Sequence, residues 1–308
     1  MAEVAIIKEV VSVSIGSSTR DHEVVIDLLG EQFKIRREGT DGDMQKAAER
    51  IRELDGKIAA FGLGGFDLYL KAAGHTYTVR DAKKVAGEAK LTPILDGSGL
   101  KNSLERYAVT YMVDELGLKL DGKKVLMTAA VDRFGMAEGL HEAGCQITFG
   151  DLIFGLGIPI PIKTWGGFKF LAQLLLPIIV LLPYQMIYPI GSEQEKAPDP
   201  KYRRYYEAAD IIAGDFIFVR KYMPEDMTGK WVLTNTTTAE DVELMRERGV
   251  ELLVTTTPRL AGRSFGTNMM EATMVALKGA KGPLEPQEYL DLFRQAGFHP
   301  EATWLQRA

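Results

Sequence analysis

The sequence of 308 residues contains a single cysteine, Cys145. One thiol cannot form an intrachain disulfide, and it cannot supply a multi-cysteine zinc or iron–sulfur site. A reducing compartment fits best, so we expect a cytoplasmic protein. The N-terminal stretch also lacks the layout of a secretion signal, because Glu3, Lys8 and Glu9 interrupt its apolar residues.

Several catalytic and binding signatures are also missing. The four histidines do not cluster, and no H-E-x-x-H pair occurs, which argues against a metal site. Neither G-x-S-x-G nor the phosphate-binding G-x-x-x-x-G-K-[ST] pattern is found. The 37 basic and 42 acidic residues give a net charge of −5, which excludes a strongly basic nucleic-acid module. We therefore expect no metal and no nucleic-acid partner.

One stretch lacks charge altogether. Residues 170–192 contain no charged side chain, and their length reaches that of a bilayer-spanning helix, about 20 residues. Pro177, Pro183 and Pro189 interrupt the stretch and disturb a helix at each point. We favour a buried or subunit-facing helical insertion, which allows a homo-oligomer. A membrane-dipping or lipid-binding element through 163–190 stays open but is not favoured, and a transmembrane span is disfavoured.

The remaining sequence predicts an α/β protein. Up to residue 118 the pattern mixes strands with helices. Asn102 and Glu105 have the spacing of a capping box, which predicts that a long helix begins after residue 102. From Lys123 strands alternate with helices, with strands predicted at 210–219 and, as the last strand, at 250–258. This alternation is typical of a mostly parallel, Rossmann-like sheet with helices on both faces.

Two domains follow from this pattern. We predict a smaller N-terminal α/β substrate domain at 1–118, joined by the C-terminal helices in 267–308. A Rossmann-like cofactor domain is predicted at 119–266, with the apolar helical insertion at 152–192.

The turn at the end of the strand predicted at 123–131 is a candidate diphosphate site. In dinucleotide-binding folds the amides at the first helix N-terminus hold the diphosphate, and glycines line the turn. Here only the last of the three glycine positions is a glycine. The alternative is a plain helix N-cap by Asp132 with no ligand. The candidate cofactor-binding residues of this turn are Ala130, Val131, Asp132, Arg133, Phe134 and Gly135.

A second group supports a dinucleotide. Asp151 follows the next strand, 21 residues after Ala130, where an acidic side chain holds a ribose hydroxyl. A carboxylate there disfavours a 2′-phosphate, so we expect NAD rather than NADP. Polar side chains also follow two later strands, whose carboxyl ends line the ligand crevice of such a sheet. These are Thr234, Asn235, Thr236 and Thr256. Both features also occur in proteins without a ligand.

Candidate catalytic and substrate-binding residues lie in the first domain. Lys101, with Asp96 in the same glycine-containing loop, is suited to move the proton of a substrate hydroxyl during hydride transfer. A glycine turn with a solvated lysine is the alternative. Polar or glycine positions near strand ends and before the last long helix are candidate substrate contacts, among which Arg20 suits a carboxylate. These are Ser14, Ser17, Ser18, Arg20, Gly65 and Asn268.

Five segments together resemble the shikimate/quinate dehydrogenase group, and more specifically a bacterial quinate 5-dehydrogenase family. They read VVSVSIGSSTRDHEV, AFGLGGFDLYL, DGSGLKNSLER, VDRFGMAE and TTTPRLAGRSFGTN. The resemblance implies an N-terminal substrate domain, a Rossmann-like cofactor domain, a final helix packed on the first domain, and Lys101 with Asp96 as the acid/base pair.

We therefore expect an NAD-dependent oxidoreductase acting on a small polyhydroxy carboxylate such as quinate or shikimate. Two alternatives remain. One is a non-catalytic ligand-binding or regulatory protein on a Rossmann-like fold. The other is an enzyme acting on an apolar or membrane-derived substrate.

Overall fold

The computed structural model describes residues 7–183, 202–257 and 266–306, and the backbone of 259–260 and 263–264. These residues form an α/β protein with two separate sheets, each rich in parallel pairs and flanked by helices. The predicted fold class is confirmed. The last part of the charge-free run, 184–192, lies outside the described residues.

The first sheet has five strands in the order β2–β3–β1–β4–β7. All its neighbouring pairs are parallel except β2 with β3. A separate hairpin is formed by β5 and β6. The strands of this half are β1 (Lys8–Ser14), β2 (His22–Leu28), β3 (Glu31–Gly39), β4 (Ala60–Gly64), β5 (Tyr69–Ala72), β6 (His75–Thr78) and β7 (Ile94–Leu95).

Three helices accompany these strands. They are α1 (Met44–Leu54), α2 (Arg80–Ala86) and α3 (Ser98–Asp114). The Asp43 side chain accepts hydrogen bonds from the amides of Gln45 and Lys46, which fixes the start of α1 where the sequence predicts it. Burial follows the pairing pattern, because β1 lies between two strands and five of its seven residues are buried, whereas exposed and half-buried residues alternate along the edge strand β2.

The second sheet has six strands in the order β15–β12–β11–β10–β8–β9. The five strands from β12 to β9 in this order pair in parallel. Only β15, at the other edge, is antiparallel to its neighbour. The strands are β8 (Lys124–Met127), β9 (Gln146–Phe149), β10 (Ile211–Ala213), β11 (Trp231–Thr234), β12 (Leu252–Thr255) and β15 (Glu301–Trp304), and a small hairpin pairs β13 (Arg259–Leu260) with β14 (Arg263–Ser264).

The helices of the second half are α4 (Phe134–Glu142), α5 (Trp165–Ile179), α6 (Arg203–Glu207), α7 (Phe216–Tyr222), α8 (Ala239–Glu247), α9 (Thr267–Lys278) and α10 (Pro286–Gln295). The chain runs outward from β8 to β9 and then returns to β10 on the other side of β8. This reversal is a topological switch point, and the carboxyl ends of β8 and β10 form a crevice there. α9 packs on β1 and β4 and α10 packs on α3, so both C-terminal helices lie against the first sheet.

Three sequence predictions of local structure are wrong. α3 begins at Ser98, after Gly97 with φ of 91°, so Asn102 and Glu105 lie inside the helix and form no capping box. The strand predicted at 210–219 ends at Ala213, because Gly214 has φ of 140° and the Asp215 side chain caps α7. The strand at 250–258 is not the last, since β15 joins the second sheet; its four residues EATW carry little strand signal.

Within its described residues, 152–183, the apolar insertion contains the α-helix α5, which confirms the helical part of that prediction. A short π-helical turn, Asp151–Gly155, precedes it. Phe168, Ala172 and Leu176 are fully buried, while the opposite face of α5 is exposed. Among the residues with described positions, no helix combines the length and the apolar character needed to cross a bilayer.

Candidate functional site

The carboxyl edges of the two sheets meet at the start of α3 and α4. β7 leads into α3, and β8 leads through Ala129–Arg133 into α4. The two helices pack closely at Gly135, where a Cβ atom would lie 2.5 Å from the Asn102 carbonyl oxygen. This close approach brings the first turn of α3 beside the loop that follows β8. The resulting crevice holds most of the charged residues considered below.

Lys101 bridges the two halves. Its Nζ lies 2.9 Å from Asp132 Oδ1 and 3.5 Å from Asp67 Oδ1, and only 13% of its side chain is exposed. Burial lowers the pKa of Lys101, but the charges of Asp132 and Asp67 outweigh burial, so the pKa is raised above its ordinary value. Burial also opposes ionisation of Asp132, yet Lys101 and Arg133 hold the pKa of that carboxyl well below its usual range. Lys101 is therefore an ammonium group that donates hydrogen bonds at neutral pH.

Arg133 is the centre of a second, deeper network. Its Nη1 donates to Glu105 Oε1 at 3.0 Å, and its Nη2 donates to Asp215. The side chains of Arg133 and Glu105 are 8% and 1% exposed. Burial raises the pKa of Glu105 despite the opposing charges of Arg133 and Lys101. Since Glu105 belongs to α3 and Asp215 follows β10, Arg133 joins the first half of the chain to the switch point of the second sheet.

One amide of the candidate diphosphate turn, and another amide just after the turn, donate to carboxylates. Val131 N–H donates to Asp151 Oδ1 at 2.9 Å, and Met136 N–H donates to Glu105 Oε2 at 3.2 Å. The cavity beside Lys101 measures about 20 Å³, which holds a single water molecule. In this closed arrangement the turn does not fit a diphosphate, because Asp151 occupies the Val131 amide and the neighbouring cavity has room for only one water molecule.

The two carboxylate oxygens of Asp151 have different surroundings. Its Oδ2 is buried without a hydrogen-bond partner among the described residues. Burial raises the pKa of Asp151 to about 6, against the lowering effect of the Val131 amide. A buried carboxylate oxygen without a donor is costly, and a ligand hydroxyl group would satisfy it. The position after β9 thus fits the predicted ribose contact, although the neighbouring turn does not fit the diphosphate.

Asp96 is not the partner of Lys101. Its Oδ2 accepts from the amides of Leu68 and Tyr69 at 2.7 and 2.8 Å, and its Oδ1 accepts from the Ser98 amide at 3.0 Å. Both oxygens thereby accept from backbone amides, Oδ1 at the start of α3 and Oδ2 at the start of β5. The predicted pairing of Lys101 with Asp96 is therefore replaced by pairing with Asp132 and Asp67.

Asp132 does not cap α4, which corrects the alternative interpretation of this turn. Arg133 occupies the N-cap position and its side chain makes no cap hydrogen bond. The Asp132 carboxylate instead faces Lys101. Both Asp132 and Lys101 are candidate residues in the sequence analysis. Their ion pair was not predicted, because 31 residues separate them along the chain.

The polar residues after β11 lie at the same edge. Asn235 Nδ2 donates to Asp215 Oδ2 at 3.0 Å, and Asn235 Oδ1 accepts from the Phe216 amide at 3.1 Å. Thr234 is buried and its hydroxyl donates to the Gly214 carbonyl at 2.8 Å. Thr256 is also buried, and Thr236 is half-buried. Asn235 thus belongs to the Arg133 network through Asp215, whereas Thr234 stabilises the loop.

Arg37, which the sequence did not single out, organises the carboxyl end of β1. Its guanidinium donates to Ser14 Oγ at 3.0 Å, to the Ser17 carbonyl at 2.9 Å and to Asp21 at 2.7 Å. The predicted Arg20 is exposed in a short 3-10 turn. Arg37 stands in the polar run KIRREG, which resembles an ordinary solvent-facing strand, so no sequence signal separates it from its neighbours.

The other predicted substrate contacts divide between solvent and interior. Ser18 is exposed, and its amide donates to Asp41 at 2.7 Å. Asn268 at the start of α9 donates to Ser12 Oγ at 2.7 Å above the carboxyl ends of β1 and β4. A Cβ atom on Gly65 would lie 2.6 Å from the Ile15 side chain, so this glycine allows close packing. The predicted substrate residues therefore do not form one group with Lys101.

Comparison with known proteins gives family matches for most of the chain. A family model described as "Domain of unknown function (DUF8754)" matches residues 99–305, and "Domain of unknown function (DUF8753)" matches residues 9–96. These matches divide the chain between β7 and α3, whereas the sequence pattern places the boundary near residue 118. No curated protein matches the sequence.

Solved structures resemble the chain only distantly. A malic enzyme of Entamoeba histolytica is 11% identical, with 92% of this chain and 61% of that chain covered and a TM-score of 0.46. An ABC transporter solute-binding protein from Burkholderia multivorans is 12% identical, with coverage of 97% and 100% and a TM-score of 0.39. L-tryptophan dehydrogenase from Nostoc punctiforme is 9% identical, with coverage of 94% and 79% and a TM-score of 0.40.

Proposed function

The chain belongs to the family of the domain of unknown function DUF8754, and from this premise we propose that its crevice binds a small polyhydroxylated ligand. The observation that carries the proposal is the placement of Lys101 between Asp132 and Asp67 where the two sheets meet. The ammonium donates to a ligand oxygen, and the two carboxylates accept from ligand hydroxyl groups. This donor and acceptor pattern suits adjacent hydroxyl groups on a small ring or chain.

Binding requires the crevice to open. The cavity of about 20 Å³ beside Lys101 is smaller than any such ligand, so the ligand replaces the contact between Lys101 and Asp132. Because Lys101 lies on α3 and Asp132 follows β8, opening this contact separates the two halves locally. The ligand then takes over the hydrogen bonds that the two charged groups make to each other.

Calorimetry with a panel of polyhydroxy compounds tests this function. The panel contains quinate, shikimate and cyclic polyols without a carboxylate, and at least one is expected to bind. Lys101→Met should weaken that binding by about tenfold or more, the loss expected for one charge-assisted hydrogen bond. Lys278→Met is the matched control, because Lys278 is exposed at the end of α9. No binding by any compound, or equal binding by the Lys101 variant, would contradict the proposal.

A second candidate is an NAD-dependent oxidoreductase acting on the same ligand, as the resemblance to quinate and shikimate dehydrogenases implies. The unpartnered Oδ2 of Asp151 supports it, since this atom stands where a ribose hydroxyl would donate. NAD would supply a hydride acceptor, and the Lys101 ammonium would orient the ligand by donating a hydrogen bond to its hydroxyl oxygen. In this candidate the Asp151 and Glu105 carboxylates must leave the amides that they occupy.

Calorimetry with NAD separates the two candidates. The oxidoreductase requires NAD to bind, alone or with a ligand from the panel, and NADP to bind more weakly. Asp151→Ala should then weaken NAD binding by about 1–3 kcal/mol, while Asp291→Ala, at an exposed position of α10, should not. Absence of NAD binding together with ligand binding would reject the oxidoreductase and leave the ligand-binding function in place.

A further inference from the structure

The insertion between β9 and α6 has an unusual charge pattern. From Leu152 to Ser192 the sequence contains no aspartate or glutamate, and its charged residues are Lys163 and Lys169. Acidic and basic residues elsewhere in the chain are nearly balanced. A segment of this length without an acidic residue suggests a partner that is itself negatively charged.

The outer face of α5 exposes large apolar side chains. Phe170, Leu174 and Ile178 are 67%, 55% and 58% exposed, and Leu181 just after the helix is 57% exposed. Their spacing of three or four residues places them along one stripe of the helix. Surface helices of globular proteins usually carry charged or polar residues at such positions. This set of four residues is called the α5 stripe below.

The exposure is concentrated in this part of the chain. Seven of the fourteen exposed large apolar residues among the described positions lie between residues 156 and 181. The opposite face of α5 is firmly held, because the Phe168 ring stacks on Phe149 at 4.3 Å with 4° between the planes. The α5 stripe is therefore presented on a fixed helix, and its exposure follows from the packing of the other face.

Basic side chains lie at both ends of the α5 stripe. Lys163 is exposed just before the helix. At the other end the Arg80 amide donates to the Val180 carbonyl at 2.9 Å, which places α2 against the end of α5. Lys83 and Lys84 of α2 are exposed. The acidic residue of α2, Asp81, is buried and contacts Lys84 and Arg80, so it presents little negative charge to solvent.

We propose that the α5 stripe docks on the surface of an anionic lipid bilayer, with the helix lying in the plane of the membrane. The apolar side chains enter the acyl boundary, and the basic residues at both ends contact acidic headgroups. Lipid is favoured over a second copy of the chain, because a two-fold pairing would bring these basic ends together. The proposal does not depend on the ligand of the crevice.

Flotation of the full-length protein with vesicles tests this docking. The protein should float with phosphatidylglycerol-containing vesicles at low salt, float less at high salt, and stay in the aqueous fraction with phosphatidylcholine alone. The triple variant Phe170→Ser/Leu174→Ser/Ile178→Ser should lose about 100-fold or more in vesicle partitioning. Circular dichroism confirms that the variant remains folded.

A matched control uses exposed apolar residues elsewhere. Val25 on β2 and Ile217 on α7 are 55% and 54% exposed, and the double variant Val25→Ser/Ile217→Ser should float like the parent protein. Failure of the parent protein to float, equal flotation with both vesicle types, or unchanged flotation of the triple variant would overturn the proposal. It would also be overturned if light scattering showed a lipid-free dimer that the triple variant dissociates, since the stripe would then join two copies.

Discussion

Replacing Arg133 by methionine should destabilise the protein severely. Arg133 is 8% exposed on its side chain, and it holds Glu105 and Asp215 from opposite sides of the crevice. Methionine fills much of the same volume but donates no hydrogen bond. The variant therefore leaves two buried or half-buried carboxylates without their cation, while the packing around the α3–α4 contact changes little.

The expected loss follows from these contacts. Each charge-assisted hydrogen bond contributes about 1.5–3 kcal/mol, and breaking a buried ion pair on one side typically costs about 3–5 kcal/mol. We expect a loss of about 3–5 kcal/mol in the free energy of unfolding at pH 8. With a urea m-value of about 3 kcal/mol/M, the midpoint would fall by about 1–1.7 M.

The loss should depend on pH in a known direction. Burial raises the pKa of Glu105 in the folded protein, and removing Arg133 raises it further. A carboxyl group with a raised pKa stabilises the folded state fully below its unfolded pKa, and this contribution is lost as pH rises through the folded pKa. The variant should thus be closer to the parent at pH 5 than at pH 8, because Glu105 takes up a proton.

Urea unfolding followed by tryptophan fluorescence measures both effects. Arg203→Met is the control, since the side chains of Arg203 and its partner Glu207 are 61% and 53% exposed and the loss should be less than about 1 kcal/mol. Adding Glu105→Gln to Arg133→Met should recover part of the stability at pH 8. A loss below about 1 kcal/mol at pH 8, or a loss equal to that of the control, would refute the assigned role of Arg133.

Three further predictions concern single sites. Burial and the charge of Asp96 raise the pKa of Glu271 to about 7. The free energy of unfolding should therefore fall by about 3 kcal/mol as pH rises from about 4.5 to 7. Urea unfolding at a series of pH values should show that this pH dependence disappears in Glu271→Gln. Gly135→Ala should lower the free energy of unfolding by about 1–3 kcal/mol, because the added methyl group would collide with α3. The control Gly166→Ala has open space around it and should be neutral or stabilising by up to about 1 kcal/mol. Equal effects in urea unfolding would contradict this reasoning. Cys145 is buried and its thiol pKa is raised to about 11, so a thiol reagent should label it only after unfolding, and rapid labelling of the native protein would be the contrary result.

Local sequence patterns were sufficient for the layered architecture. The spacing of Met44, Ala47, Ala48, Ile51 and Leu54 predicts a helix over 43–54, and α1 occupies Met44–Leu54, because burial of one helix face imposes a period of 3.6 residues. The final helix expected at about 267–277 is α9, Thr267–Lys278. The strand–turn–helix at 124–142 was found because strand and helix signals follow one another directly. Asp151 was placed at the end of β9 for the same reason, although the NAD role given to it remains a prediction.

The charge partners within the crevice were decided by tertiary structure alone. Lys101 pairs with Asp132 across 31 residues, and Arg133 reaches Asp215 across 82 residues. Sequence proximity favoured Asp96 for Lys101, but the backbone amides of Ser98, Leu68 and Tyr69 engage both oxygens of that carboxylate. Ion pairs have no sequence period, since they depend on which loop ends the packing of whole helices and sheets brings within about 4 Å. Here the close packing of α3 on α4 at Gly135 brings Lys101 next to Asp132, and no residue pattern along the chain predicts that contact.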